Sequence, residues 1–338
     1  MRNFTFSAYF SGVSKRLQAG DQEKRMSNST STSRTPAGLR AISEQSTCIG
    51  RAQPSRPPIN KLPNGHSLSH TYIHRLVVRS LLLFGLAIGS PTVVAAQESL
   101  QANNPIAGAV SFNFQNEFIG NLSSIDESAN ILNFRTVIPF QFLGGDWIAR
   151  ATAPVATLPT VQSTSPLSFN HTTGLGDINV FAIKLLDLGN PTVSFGVGPS
   201  LTLPTATDDA LGGGTWNAGL ANVLFNFSNP QFQWGYLLVW ETDFAKERSN
   251  AADVNRAFFQ PFGIRQLGDG WYLRSTGVWN YDFETDSYAV PIGFGFGRVI
   301  PTERTIVNAF FEPQYSVITD GPGQREWGLF FGVNFQLR

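Results

Sequence analysis

From residue 107 to the C-terminus the chain repeats one pattern, segments of about ten residues in which apolar and polar side chains alternate, separated by turn-forming residues. A period of two places successive side chains on opposite faces of a β-strand and does not suit a helix. The segment 326–337 shows it most clearly: Trp327, Leu329, Phe331, Val333, Phe335 and Leu337 share one face, opposite Gly328, Gly332, Asn334 and Gln336. In 288–299, Tyr288, Val290, Ile292, Phe294 and Phe296 oppose Ala289, Pro291, Gly293, Gly295 and Gly297. Segment 131–142 sets Leu132, Phe134, Ile138, Phe140 and Phe142 against Asn133, Arg135 and Gln141, with Pro139 as a blemish. Segment 107–117 sets Val110, Phe112 and Phe114 against Ser111, Asn113 and Gln115. Further strands are expected at 147–157, 175–186, 192–203, 216–227, 232–243, 256–267, 271–282 and 305–317, which makes twelve.

Twelve alternating strands suit a soluble β-sandwich or propeller as well as a transmembrane barrel, because alternation does not say which face meets protein and which meets lipid. Three further features favour an all-β, antiparallel, up-and-down transmembrane β-barrel. The connections alternate in length: short at 143–146, 187–191, 228–231, 268–270 and 301–304, and mostly longer near 118–130, 158–174, 204–215, 244–255, 283–287 and 318–325. Short turns on one side and long loops on the other are the habit of outer-membrane barrels, and they place both termini on the periplasmic side. Trp147, Trp234, Trp240, Trp271 and Trp279 fall at strand ends, where aromatic residues form interfacial girdles. The charges that alternation turns away from the aromatic face, Arg135, Arg150, Asp177, Arg274 and Glu312, would cost little in a wet lumen, whereas Arg facing lipid at the midplane costs about 2–4 kcal/mol.

The formal net charge of zero conceals two unlike segments. Residues 1–96 carry 12 Lys and Arg against 3 Asp and Glu, and residues 97–338 carry 12 against 21, giving +9 and −9. Within the front, residues 74–96 have the form of a cleaved secretory signal. Arg75 and Arg79 precede an apolar stretch from Leu81 to Ile88, and Val94 and Ala96 stand at −3 and −1 of a cleavage site. That stretch is interrupted at Gly89-Ser90-Pro91 and is short for a membrane anchor. Residues 1–73, rich in Ser, Arg, Asn and Pro, read as a disordered extension or a gene-start artefact, leaving 97–338 as the barrel. Export would place that barrel in a bacterial outer membrane. After Ala96 no stretch reaches 18 consecutive apolar residues, so spanning would be by strands.

Little here points to catalysis or cofactor chemistry. The one Cys, Cys48, lies in the front segment, so the body offers no thiolate nucleophile or metal ligand. Its one His, His171, falls in the 158–174 connection and reads as a solvated loop residue, not the base of a lipid hydrolase. Gly293 to Gly297 lacks the following helix of a phosphate-binding loop. Asp208-Asp209 before Gly212-Gly213-Gly214 lacks the ligand spacing of a calcium loop. Neither catalytic residues, a metal nor a cofactor is expected, and a −9 body argues against nucleic acid. The inward charges Arg135, Arg150, Asp177, Arg274 and Glu312 are instead candidates to line a pore, or to close it through ion pairs.

The stretch Gly174-Leu175-Gly176-Asp177-Ile178-Asn179-Val180, then Gly196-Val197-Gly198-Pro199-Ser200-Leu201-Thr202-Leu203-Pro204-Thr205-Ala206-Thr207, then Gly212-Gly213-Gly214-Thr215-Trp216, resembles a bacterial family. It is the outer-membrane barrel family named for the meta-pathway of phenol degradation. The resemblance implies transport of small solutes, hydrophobic or aromatic among them, and a structural role for the motif residues. The ending Phe335-Gln336-Leu337-Arg338 departs from the terminal aromatic common in such barrels. The expected partners are outer-membrane lipid and lipopolysaccharide, the barrel assembly machinery and a small-molecule solute. A nonconducting structural or adhesive barrel acting through its external loops is the alternative.

Overall fold

The computed structural model describes residues 102–104, 106, 108–164 and 167–338. The expected signal at 74–96, the segment before it and Cys48 lie outside the described residues, as does the start of the first expected strand at Ala107. The described chain contains the strands β1 (Ser111–Leu122), β2 (Ala129–Phe142), β3 (Gly145–Thr164), β4 (Leu167–Leu175), β5 (Ile178–Leu186), β6 (Val193–Leu203), β7 (Thr215–Asn229) and β8 (Phe232–Lys246). It continues with β9 (Asn255–Gly268), β10 (Trp271–Ser275), β11 (Trp279–Asp282), β12 (Ser287–Gly293), β13 (Gly295–Pro301), β14 (Thr305–Asp320) and β15 (Arg325–Leu337). Every pairing is antiparallel, and β1 pairs with β15 from Ser111↔Gln336 to Leu122↔Arg325, so the sheet closes on itself.

Three wall positions are each shared by two short strands: β4 and β5 against β3, β10 and β11 against β9, and β12 and β13 against β14. The wall therefore has the twelve positions read from the sequence. Strand ends moved more than strand number did. Residues 158–174, expected as a loop, form most of the hairpin in which β3 continues to Thr164 and β4 returns, with Thr157 and Thr173 hydroxyls 2.9 Å apart. The hairpin is rich in Thr, Ser and Pro, so it lacks the apolar alternation that marks a strand against lipid. Likewise β1 runs on to Leu122, and the connection expected at 118–130 shrinks to 123–128.

Turn chemistry fixes the short end. Asp269 and Gly270 both have positive φ, 51° and 77°, the conformation of a two-residue type I′ hairpin and the reason Asp-Gly favours it. Pro139 is tolerated because β1 starts opposite Val137, leaving residues 138–142 of β2 with β3 as their one paired neighbour.

The exposed face is the aromatic one. Phe112, Phe114, Phe134, Phe140, Phe296 and Phe331 all lie on the outer surface, and Phe294 is 70% exposed, while Asn133, Gln115, Glu312 and Thr202 are buried inside. A soluble sandwich would bury the aromatic face, so this polarity identifies a membrane barrel. Trp147, Trp234 and Trp271 fall at the short-turn ends of their strands and Trp216, Trp279 and Trp327 toward the long-loop ends, while Trp240 lies near the middle of β8.

The inward face is not uniformly small and polar: Phe181, Ile183, Val223, Phe225, Leu237, Val239 and Phe258 all point inward and pack into one cluster. Here the lumen is filled by side chains that bury apolar area against one another, so the middles of β7 to β9 are apolar on both faces, while Asn217, Gln233, Glu241 and Arg256 keep the inward face polar toward the strand ends.

Candidate functional site

Polar side chains face the lumen on both sides, among them Gln115, Asn133, Arg135 and Arg150 on β1 to β3 and Asn179, Gln233 and Glu241 on β5 and β8, beside the apolar cluster just described. Between them, in the half of the lumen nearer the short turns, lies a cavity of about 170 Å³. Its lining includes Arg135, Arg150 and Arg274 and no Asp or Glu. Alternation delivers these residues: Arg135 on β2 and Arg150 on β3 occupy inward positions that continue Asn133 and Ile148, and Arg274 follows Tyr272 on β10.

The three arginines sit in different surroundings. Arg274 donates from Nε to Glu312 at 2.8 Å and from Nη2 to the Thr276 hydroxyl at 2.8 Å, and its guanidinium lies 3.8 Å over the Phe310 ring. Glu312 is fully buried and also accepts from the Thr276 amide and hydroxyl and from Gln314, so its charge is well satisfied. Glycines make room for it, since a Cβ at Gly293 or Gly295 would strike its side chain. Here the Gly-Phe-Gly run serves the lumen, with phenylalanines outward and space inward.

Arg135 and Arg150 enter no ion pair among the described residues. Arg135 donates through Nη1 to Gln115, and Arg150 lies 4.2 Å over the ring of Phe181. In each, Nε and Nη2 are buried with no hydrogen-bond partner. Those two atoms form the side-on edge with which Arg grips a carboxylate bidentately. The side chains are only 6% and 7% exposed, so both are held in the wall and not free in solvent.

Asp177 sits apart from this cavity, at the break between β4 and β5. Its carboxylate accepts from the backbone N–H of Ala206 at 3.1 Å and of Gly213 at 2.7 Å, pinning the 204–214 connection, and a Cβ at Gly212 would collide with it. The Gly-Asp, Pro-Thr-Ala-Thr and Gly-Gly-Gly stretches noted in the sequence thus meet in one loop anchor. Nearby, Asp209 pairs with Arg248 at 2.7 Å.

The sequence reading did not name two further lumen ion pairs, Arg256 with Glu241 at 3.7 Å and Arg325 with Glu117. Glu241 also accepts from Asn179, Ser200 and Thr202. Alternation contained the signal, because Glu241 shares a face with Gln233, Gly235, Leu237 and Val239, opposite Trp234 and Trp240. The other omission is the segment before β1. Asn308 donates to the Ala102 carbonyl and to Asn103 at 2.9 Å, and Ile106 packs into the apolar cluster, so this segment lies across the short-turn end of the cavity. Nothing in its composition distinguishes a plug from a linker.

His171 stands in β4 opposite Pro159, not in a loop. Its Nε2 lies 3.1 Å from the Ser128 carbonyl oxygen and 3.8 Å from Glu127, with no Ser hydroxyl among these contacts, so the nucleophile–base geometry of a serine hydrolase is not formed there.

No protein-family model and no curated protein matches the chain. Among solved structures it is similar to an outer membrane channel from Pseudomonas putida F1, with a TM-score of 0.49 and 14% identity, over 68% of this chain and 96% of that one. It is similar also to the NanC porin, with a TM-score of 0.42 and 8% identity over 68% and 100% of the two chains. Outer membrane phospholipase A from Escherichia coli aligns with a TM-score of 0.36 and 11% identity over 72% and 96%.

Proposed function

We propose that the protein is a narrow channel of a bacterial outer membrane that passes small solutes of hydrophobic or aromatic character. The observation that carries this reading is the closed ring with an apolar, aromatic exterior around a cavity lined by guanidinium groups, neutral amide and hydroxyl side chains, and apolar side chains. A purely structural barrel of this width needs no such cavity. Twelve wall positions fall between filled eight-stranded barrels and sixteen-stranded porins, which suits a restricted pore. The resemblance of the 174–216 region to the phenol meta-pathway barrel family supports the same solute class. The reading includes export by the 74–96 signal, folding by the barrel assembly machinery, and residence among outer-membrane lipid and lipopolysaccharide.

A second reading, a nonconducting barrel acting through its external loops, is favoured by the segment at Ala102 to Ile106 that lies across the cavity. Liposome swelling with the refolded full chain separates the two. The channel reading predicts swelling with small solutes such as benzyl alcohol or glycerol and none with a trisaccharide; vesicles that behave like protein-free controls would favour the second.

A further inference from the structure

We infer that the lumen cavity is a binding site for a small organic carboxylate with an apolar body, a benzoate-like anion, held by Arg135 and Arg150. This rests on the reading of the lumen as the solute path and names the solute class that path selects.

Charge is the first argument. Each inward acid outside the cavity has named partners: Glu117 pairs with Arg325, Glu241 with Arg256, Glu312 with Arg274, and Asp177 and Asp282 accept backbone amides. The cavity lining itself has three guanidinium groups and no carboxylate. Since Arg274 is engaged by Glu312, Arg135 and Arg150 are left as two buried cations with no ion-pair contact among the described residues, although Glu117, itself held by Arg325, also acts on Arg135. A buried cation without an ion-pair contact is costly, so an anion reaching either side chain gains more than it would at the surface.

Geometry is the second argument. The unpartnered atoms are the same pair, Nε and Nη2, on both residues. A carboxylate presents two oxygens at the spacing of that edge, whereas a single halide cannot satisfy both donors with comparable geometry. The residues are adjacent in the wall, with Val137 opposite Arg150 and Arg135 opposite Thr152 in the β2–β3 register.

The third argument is what faces them. Leu237, Phe262, Ile264, Ile306 and Phe330 line the same cavity, alongside neutral polar side chains such as Asn113, Gln115, Gln260 and Asn334. An inorganic anion would leave this surface unused, and a neutral aromatic would leave the guanidinium edges unused. A cavity of about 170 Å³ has room for roughly ten water-sized groups, the scale of a one-ring acid.

Isothermal titration calorimetry of the full chain refolded in detergent tests this, using sodium benzoate, its neutral isostere benzamide, and sodium chloride at matched ionic strength. The expected result is saturable benzoate binding, at least tenfold weaker benzamide binding, no saturable response to chloride, and a tenfold or greater loss of benzoate affinity in Arg135→Gln and Arg150→Gln. Arg150→Lys, which keeps charge but not the bidentate edge, should recover only part of the loss and guards against a merely misfolded Gln variant. Equal binding of benzoate and benzamide, benzoate affinity unchanged by the substitutions, or no benzoate binding to wild type would overturn the inference. Solute flux without benzoate binding overturns the site and leaves the channel; benzoate binding without flux supports the site and overturns the channel.

Discussion

The guanidinium of Arg150 lies 4.2 Å over the ring of Phe181, its neighbour across the β3–β5 pairing, and forms no ion pair among the described residues. A cation held against an aromatic face is oriented without being neutralised. It keeps its positive potential available to the lumen, which Arg274, locked to Glu312, does not.

Removing Glu312 should be far more damaging than its single position suggests. Glu312→Ala leaves Arg274 as an unpaired, largely buried cation and orphans the donors on Thr276, and breaking a buried pair costs about 3–5 kcal/mol. Urea unfolding in lipid vesicles should show a loss of at least about 2 kcal/mol, with the double variant Glu312→Ala, Arg274→Ala less destabilised than the sum of the singles. Additive losses would show that the pair is not coupled.

The outer face should respond to charge according to depth. Phe331 is at the middle of β15, and Phe331→Arg should cost about 2–4 kcal/mol in bilayers. Trp327 lies near the long-loop end of the same face, so Trp327→Arg should cost about 0–1 kcal/mol from charge burial. Equal costs at the two positions would argue that this face does not meet hydrocarbon.

Gly270 is required by its backbone as well as its space. Its φ is +77°, and a Cβ there would collide with the Val299 carbonyl. Gly270→Val should destabilise the β9–β10 turn by about 1–3 kcal/mol and slow refolding, measured by the gel shift between folded and heat-denatured barrel. Gly144, with positive φ but nothing near its Cβ, should tolerate Ala better.

Loosening the segment before β1 should open the lumen. Asn308→Ala removes the side chain that holds Ala102 and Asn103, so its single-channel conductance should rise above wild type. Unchanged conductance would mean that the segment does not limit flow.

Strand number, closure and the identity of the lipid face were legible in the sequence because a membrane barrel imposes a period of two and cannot place charge toward hydrocarbon. The inward placement of Arg135, Arg150, Asp177, Arg274 and Glu312 followed from that same rule. What the period could not show was which of these charges meet. Arg274 and Glu312 are 38 positions apart and join across β10 and β14, while Asp177 turns to the 204–214 connection. Those outcomes depend on register around the ring. The apolar cluster at the middle of the inward faces of β7 to β9 was hidden for a related reason: Leu237 and Val239 read as ordinary strand residues until the ring shows that they face a packed lumen. The β3–β4 hairpin escaped because its strands pair with little apolar alternation to reveal them.

The central claim, a pore whose passage is governed by Arg135 and Arg150, is tested most directly by the zero-current potential of single channels in planar bilayers under a salt gradient. The account predicts discrete, small conductance steps with a preference for anions, and a shift of the reversal potential toward cations in the Arg135→Gln, Arg150→Gln variant. An absence of steps, or a reversal potential the same in wild type and variant, would contradict it.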